Sequence, residues 1–202
     1  MSGVIENLLK QANSDTEEKT SIASAQRKFA DETGAKEAFQ QIGEKLLQIE
    51  RWNFSSGASS FGLFDEKGDK LQNKAAAVGD FICIKLPGTG KADWVKIINI
   101  HKDSDEMILT VQPTFNPTEK KTDKSATSHF FIKDSTNNFC LQLNGSYLNM
   151  YVIGLNEITN TEDTSSVIES ARNFATANLG HFLGFQKAEW TTFCNNFIEK
   201  EN

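Results

Sequence analysis

WVKIINIHKDSDEMILTVQ, residues 94–112, and NFCLQLNGSYLNMYVIGL, residues 138–155, are the stretches on which the fold turns. Each holds two runs of apolar, largely β-branched and aromatic residues parted by three to five polar ones, around Lys102-Asp103-Ser104-Asp105 in the first and Asn144-Gly145-Ser146 in the second. Linkers that short suit antiparallel hairpins, because a parallel crossover needs a dozen residues or more. The spacing therefore predicts strands over 94–101, 107–112, 138–143 and 147–155, forming a meander.

Working outward, further strand candidates are 61–64, 80–86 and 128–133. Alternation along them describes their surroundings. In 80–86, Ile82, Ile84 and Leu86 share one face while Phe81 and Cys83 occupy the other; in 94–101, Trp94, Ile98 and Ile100 oppose Val95 and Ile97. A sheet covered on one side alone shows cleaner alternation, so strong curvature into a barrel, or helices over the second face, is expected. The connection 113–127, with Pro113, Pro117 and a cluster of Thr and Lys, reads as a long loop.

The flanks read as helical. Over 1–52, a short helix carries Val4, Ile5, Leu8 and Leu9, and Ser14-Asp15-Thr16-Glu17 has the spacing of a capping box that opens a second helix with Ile22, Ala25, Phe29 and Ala30. Gly34 is expected to end or bend it before a third stretch with Phe39, Ile42, Leu46, Leu47 and Ile49. Over 157–202, Thr164 or Ser165 caps a helix with Ile168, Ala171, Ala175 and Leu179. A last helix carries a bulky stripe of Trp190, Phe193, Cys194, Phe197 and Ile198, which must bury against the sheet, the amino-terminal helices or another chain. The fold class is α+β: a central antiparallel, strongly curved sheet or partly closed barrel over 53–156, flanked by an N-terminal helical segment (1–52) and a C-terminal one (157–202) in a single domain, 1–202.

Composition bounds the function. The 202 residues hold 21 Lys plus Arg against 27 Asp plus Glu, a net charge of −6, with 38% apolar residues. That is a globular composition, and its charged residues form no Lys/Arg stripe of the kind that binds a phosphate backbone, so no nucleic-acid partner is expected. Neither a secretory leader nor an apolar run long enough to span a bilayer is present, so no membrane partner and a cytoplasmic location are expected. Cys83, Cys140 and Cys194 are odd in number, far apart and set in apolar runs, as buried thiols in a reducing compartment would be.

The motifs that carry chemistry fail on inspection. Pro87-Gly88-Thr89-Gly90-Lys91 looks like the end of a phosphate-binding loop, yet Lys85 stands where its first glycine belongs, Ala92 follows the lysine, and a strand follows instead of a helix. His101, His129 and His181 are far apart with no metal-ligand spacing, so no metal and no cofactor are expected. The G-x-S-x-G elbow is absent, and thiols in apolar runs make poor nucleophiles. What remains is fifteen Phe and three Trp. Core packing accounts for most of them, and a ligand cavity or protein interface also favours aromatics.

Three functions from different classes follow. The first is a non-catalytic protein-interaction or assembly subunit, in which Trp190 and Phe193 meet a partner or a second copy. The second is a binder of a small apolar ligand inside the curved sheet, and the third an enzyme assembled from distant residues around His129 with Asp80 or Asp93. Across these readings the candidate binding residues are Trp94, His129, Phe131, Trp190 and Phe193, with no catalytic residue assigned.

Overall fold

The computed structural model describes residues 3–15, 19–57, 59–85, 92–119, 134–158 and 187–199. Among them are helix α1 (Val4–Asn13), strand β1 (Ser21–Lys28), helix α2 (Glu32–Leu46), a 3-10 helix (Ile49–Phe54) and strands β2 (Ser60–Phe64) and β3 (Phe81–Lys85). Strands β4 (Ala92–Lys102), β5 (Glu106–Pro113), β6 (Thr136–Asn144) and β7 (Tyr147–Leu155) follow, and helix α3 covers 187–199. All seven strands pair antiparallel in the order β1-β7-β6-β5-β4-β3-β2, and the sheet is curled without closing. The α+β class and the curved antiparallel sheet are as the sequence implies.

Both decisive stretches are hairpins. Asp103 Oδ1 accepts from the backbone N–H of Asp105 and Glu106, at 3.1 and 2.7 Å, and so closes the β4–β5 turn. Gly145, at φ +57°, supplies the left-handed residue that the tight Asn-Gly turn between β6 and β7 requires.

Two expectations need correction. The amino-terminal segment is not wholly helical: Ser21–Lys28 is a strand paired with β7 over eight residues, from Ser21↔Gly154 to Lys28↔Tyr147. Ala23 and Ala25 face the main core while Ile22 faces the other side, so the helix-like step from Ile22 to Ala25 was a coincidence of composition, overridden by pairing with a long strand edge. Ser14 accordingly closes α1, its N–H donating to Lys10 O at 3.0 Å, and Thr16 and Glu17 lie outside the described residues. Asp31 is the cap that opens α2, accepting from Gly34 N at 2.8 Å, so Gly34 sits in the first turn instead of ending a helix.

The second correction is within β4. A bulge between Ile97 and Asn99 shifts the register against β5, so that Val95, Ile97 and Ile100 share the inner face and Trp94 the outer, with Ile98 exposed. The expected capping of a helix at Thr164 or Ser165 and the strand at 128–133 fall outside the described residues.

Ring contacts show which way the sheet curls. Phe61 of β2 and Phe139 of β6 are four strands apart, about 19 Å in a flat sheet. Yet Trp190 of α3 lies 6.3 Å from the first ring and 5.4 Å from the second, and Trp52 of the 3-10 helix 5.4 and 4.5 Å. The face that carries Phe61 and Phe139 is therefore concave, and it holds the main core with α2, the 3-10 helix and α3. On the convex face α1 buries Ile5 and Ala12 against Ile108, Cys140, Ile153 and Leu155. Glu106 fixes that helix, its carboxylate accepting from Val4 N at 2.7 Å and Ile5 N at 3.3 Å where an α-helix leaves its first amides unpaired.

Candidate functional site

Five rings fill the middle of the concave face: Trp52, Phe61, Phe139, Trp190 and Phe193, most of them meeting edge to face. Aromatic pairs prefer that geometry because the positive ring edge meets a negative ring face. Helix α3 is held over them by hydrogen bonds along its length. Glu189 Oε1 accepts from Ser59 N at 2.9 Å, and Asn196 Nδ2 donates to Ser55 O at 3.0 Å. At the carboxy-terminal end, Lys45 Nζ donates to Phe197 O at 3.3 Å and Arg27 Nη1 to Ile198 O at 3.0 Å, placing two cations on the negative end of the helix dipole. Lys45 is itself buried, with its ammonium 4.6 Å from the Phe197 ring centre.

Within this apolar setting, polar groups gather at one end. On β6 the inner face carries Asn137, Phe139 and Leu141, so a core position is given to an amide. Asn137 pairs with Gly154, which in turn pairs with Ser21, and the Glu157 carboxylate and Ser21 hydroxyl fill the space that a side chain on Gly154 would take. Burial raises the Glu157 carboxyl above its ordinary range, and a hydrogen bond with Ser21 offsets part of the rise.

Among the described residues, three buried polar atoms have no hydrogen-bond partner: Asn137 Oδ1, Trp190 Nε1 and Ser55 Oγ. Trp52 makes the contrast, since its Nε1 donates to Leu46 O at 3.2 Å. A buried donor or acceptor left unpaired costs about 1–3 kcal/mol. Trp190 is 9% and Asn137 8% exposed, so both carry that penalty in the free protein.

The sequence candidates separate. Trp190 and Phe193 come together in the concave cluster. Trp94 stands on the convex face with Phe81 and Cys83, its ring 5.0 Å from that of Phe64 and apart from the other two. His129 and Phe131 lie outside the described residues. Asp80 Oδ2 accepts from Ala77 N at 2.9 Å, a turn-closing role. Asn137, Ser55, Lys45 and Glu157 were not singled out from sequence; for Asn137 the available signal was an amide in step with Phe139 and Leu141.

Nucleophiles and metal ligands offer less. Burial pushes the Cys83 and Cys140 thiols up and that of Cys194 up to about 12, so all three stay protonated at neutral pH. Among the described residues, His101, Asp103 and Glu106 bring ligand atoms within 4.8 Å of one another. Their oxygens are engaged: Asp103 Oδ2 with His101 Nε2 at 3.1 Å, Glu106 Oε1 with Gln142 Nε2 at 3.4 Å, and the others with backbone amides of the turn and of α1.

No family model and no curated protein matches the chain. Among solved structures, the chain is similar to a hypothetical protein from Helicobacter pylori at 11% identity and TM-score 0.52, over 94% of this chain and 91% of that one. It is also similar to a protein from Arthrobacter aurescens (15% identity, TM-score 0.46, 93% and 91% covered) and to ginseng major latex-like protein 151 from Panax ginseng (11%, 0.37, 81% and 97%). The first likeness shows a shared fold; the other two are too distant in shape to carry an argument.

Proposed function

We propose that the chain is a non-catalytic binder of a small, mainly apolar molecule that carries one uncharged polar group, lodged between the concave face and α3. The observation that carries this reading is the pair of buried, unpartnered groups, Trp190 Nε1 and Asn137 Oδ1, in otherwise apolar walls. One is a donor and the other an acceptor, so a ligand polar group that accepts from the indole or donates to the amide relieves the penalty there. Because the rings pack directly on one another, α3 must move aside for the apolar body to lie along them, where burial contributes about 25 cal/mol per Å2. Glu157 and Ser21 complete the polar end.

The reading takes residues 1–202 as one domain and Trp190 and Phe193 as ligand-side residues, with His129 and Phe131 as further candidates. It places the protein in the cytoplasm, where three buried free thiols are stable. Among the described residues no helix is long and apolar enough to cross a membrane. The assembly reading has lost its main support, since the Trp190, Phe193 and Phe197 stripe that was to meet a partner is buried within the same chain.

The test is a titration of the full chain with decanol, decanoate and decylamine, followed by tryptophan fluorescence and calorimetry. Saturable binding of decanol, weakened about tenfold in Trp190→Phe and in Asn137→Leu, is the expected result. No saturable binding of decanol, or equal binding to both variants, overturns the reading.

A further inference from the structure

At the β2 edge of the sheet the 3-10 helix borders a pocket of about 530 Å3, which shares only Leu63 with the concave core. Gln48, Glu50, Arg51 and Phe54 line one side, Leu63 lies on the sheet, and residues 73–75 close the other side. Its volume falls within the range of small-molecule sites.

Three features give it a chemical character. Phe54 is 59% exposed at the rim of the pocket, while Leu63 is fully buried. Glu50 is already engaged, with Lys70 Nζ at 3.4 Å and the Asn73 N–H at 3.4 Å. That contact, with the hydrogen bond from Ala76 N to Leu47 O at 2.7 Å and the left-handed turn at Asn73 (φ +52°), holds the segment bearing Lys74 against the 3-10 helix. Among the described residues the two cations of the pocket, Arg51 and Lys74, have no acidic partner. Arg51 is half-buried and its guanidinium donates to the Gln48 side-chain oxygen at 3.3 Å, while Lys74 is exposed; neither forms an ion pair among the described residues.

A half-buried guanidinium with free donors favours a planar anion, which it can bind through two parallel hydrogen bonds. We infer that this pocket binds a small planar aromatic molecule bearing one anionic group, its ring against Phe54 and its anion between Arg51 and Lys74. The site is independent of the concave one, and a ligand at either leaves the other's residues untouched, save for Leu63.

Amide resonances of the isotope-labelled full chain, titrated with naphthalene carboxylate, naphthyl phosphate and the uncharged naphthalene carboxamide, test it. We expect one or both anions to shift the amides of Arg51, Phe54 and residues 73–75, with the better binder identifying the anion. Binding should weaken about tenfold or more in Arg51→Gln and Lys74→Gln, and by a similar factor for the carboxamide. Dispersed spectra of both variants establish that they remain folded. The inference is overturned if neither anion moves these amides, if the carboxamide binds as well as the anions, or if both variants keep full affinity.

Discussion

At the scale of single residues, the polar end of the concave face stores unfavourable energy. Glu157 is the clearest case: its carboxyl titrates above the ordinary glutamate range because burial disfavours the anion more than the Ser21 hydroxyl favours it. A raised folded-state value means that the native chain holds the proton more tightly than the unfolded chain. The contribution of this group is therefore fully present below the unfolded value and is lost as pH rises through the folded one. Glu157→Gln should make the protein more stable than the parent at neutral pH, with the difference shrinking towards zero as the parent's carboxyl protonates. Denaturant midpoints of both chains across acid to neutral pH check this, and a variant that is less stable at neutral pH would show that the anion is wanted there. That Asn137 and Glu157 matter was hard to see in the sequence. Their significance lies in burial, and for Asn137 in a missing partner, and a polar residue at a strand end looks the same in sequence whether its side chain meets water or the protein interior.

At the scale of elements, α1 depends on one distant carboxylate. Its first amides, at Val4 and Ile5, are met by Glu106 from β5, and a Cβ on Gly3 would collide with that same carboxylate. Glu106→Gln keeps the shape and removes the charge that complements the helix dipole, so docking of α1 should weaken by about 1–2 kcal/mol. Hydrogen exchange is the fitting measurement: amides of α1 should exchange roughly tenfold faster while β6 and β7 stay protected. Unchanged exchange in α1 would mean that Ile5, Leu8, Leu9 and Ala12 hold the helix by themselves. Elements were legible where their cause was local. The hairpins at Asp103 and Gly145 follow from turn residues a few positions apart, and the stripe on α3 from its own spacing. β1 was misread because its cause is the edge of β7, more than a hundred residues away, and because SIASAQRK has too few large apolar side chains to show alternation. The bulge at Ile98 was missed for a similar reason: in an apolar run, one extra residue leaves no trace except exposure.

At the scale of the whole molecule, a sheet apolar on both faces is covered unequally on the two. The convex face takes α1 on one half and the Phe81, Cys83, Trp94 and Phe115 cluster on the other, whereas the concave face takes α2, the 3-10 helix and α3 together. Curling lets one helix serve five strands, since α3 reaches rings on β2 and β6 at once. Phe193 is the centre of that contact, fully buried, with the rings of Trp52, Phe61, Phe139, Trp190 and Phe197 all 5.1–6.1 Å away. Phe193→Ala should therefore cost about 3–5 kcal/mol, a large part of the roughly 5–15 kcal/mol that holds a domain folded. Truncating the exposed Phe54 should change stability by less than about 0.5 kcal/mol. The form of the transition carries further information. If α3 folds with the sheet, Phe193→Ala lowers the denaturant midpoint in one step with an unchanged slope. A loss under about 1 kcal/mol would contradict the packing of α3 on the concave face. A transition split in two would mean instead that α3 leaves the sheet before the rest unfolds, which is the freedom a ligand needs to reach Trp190 and Asn137.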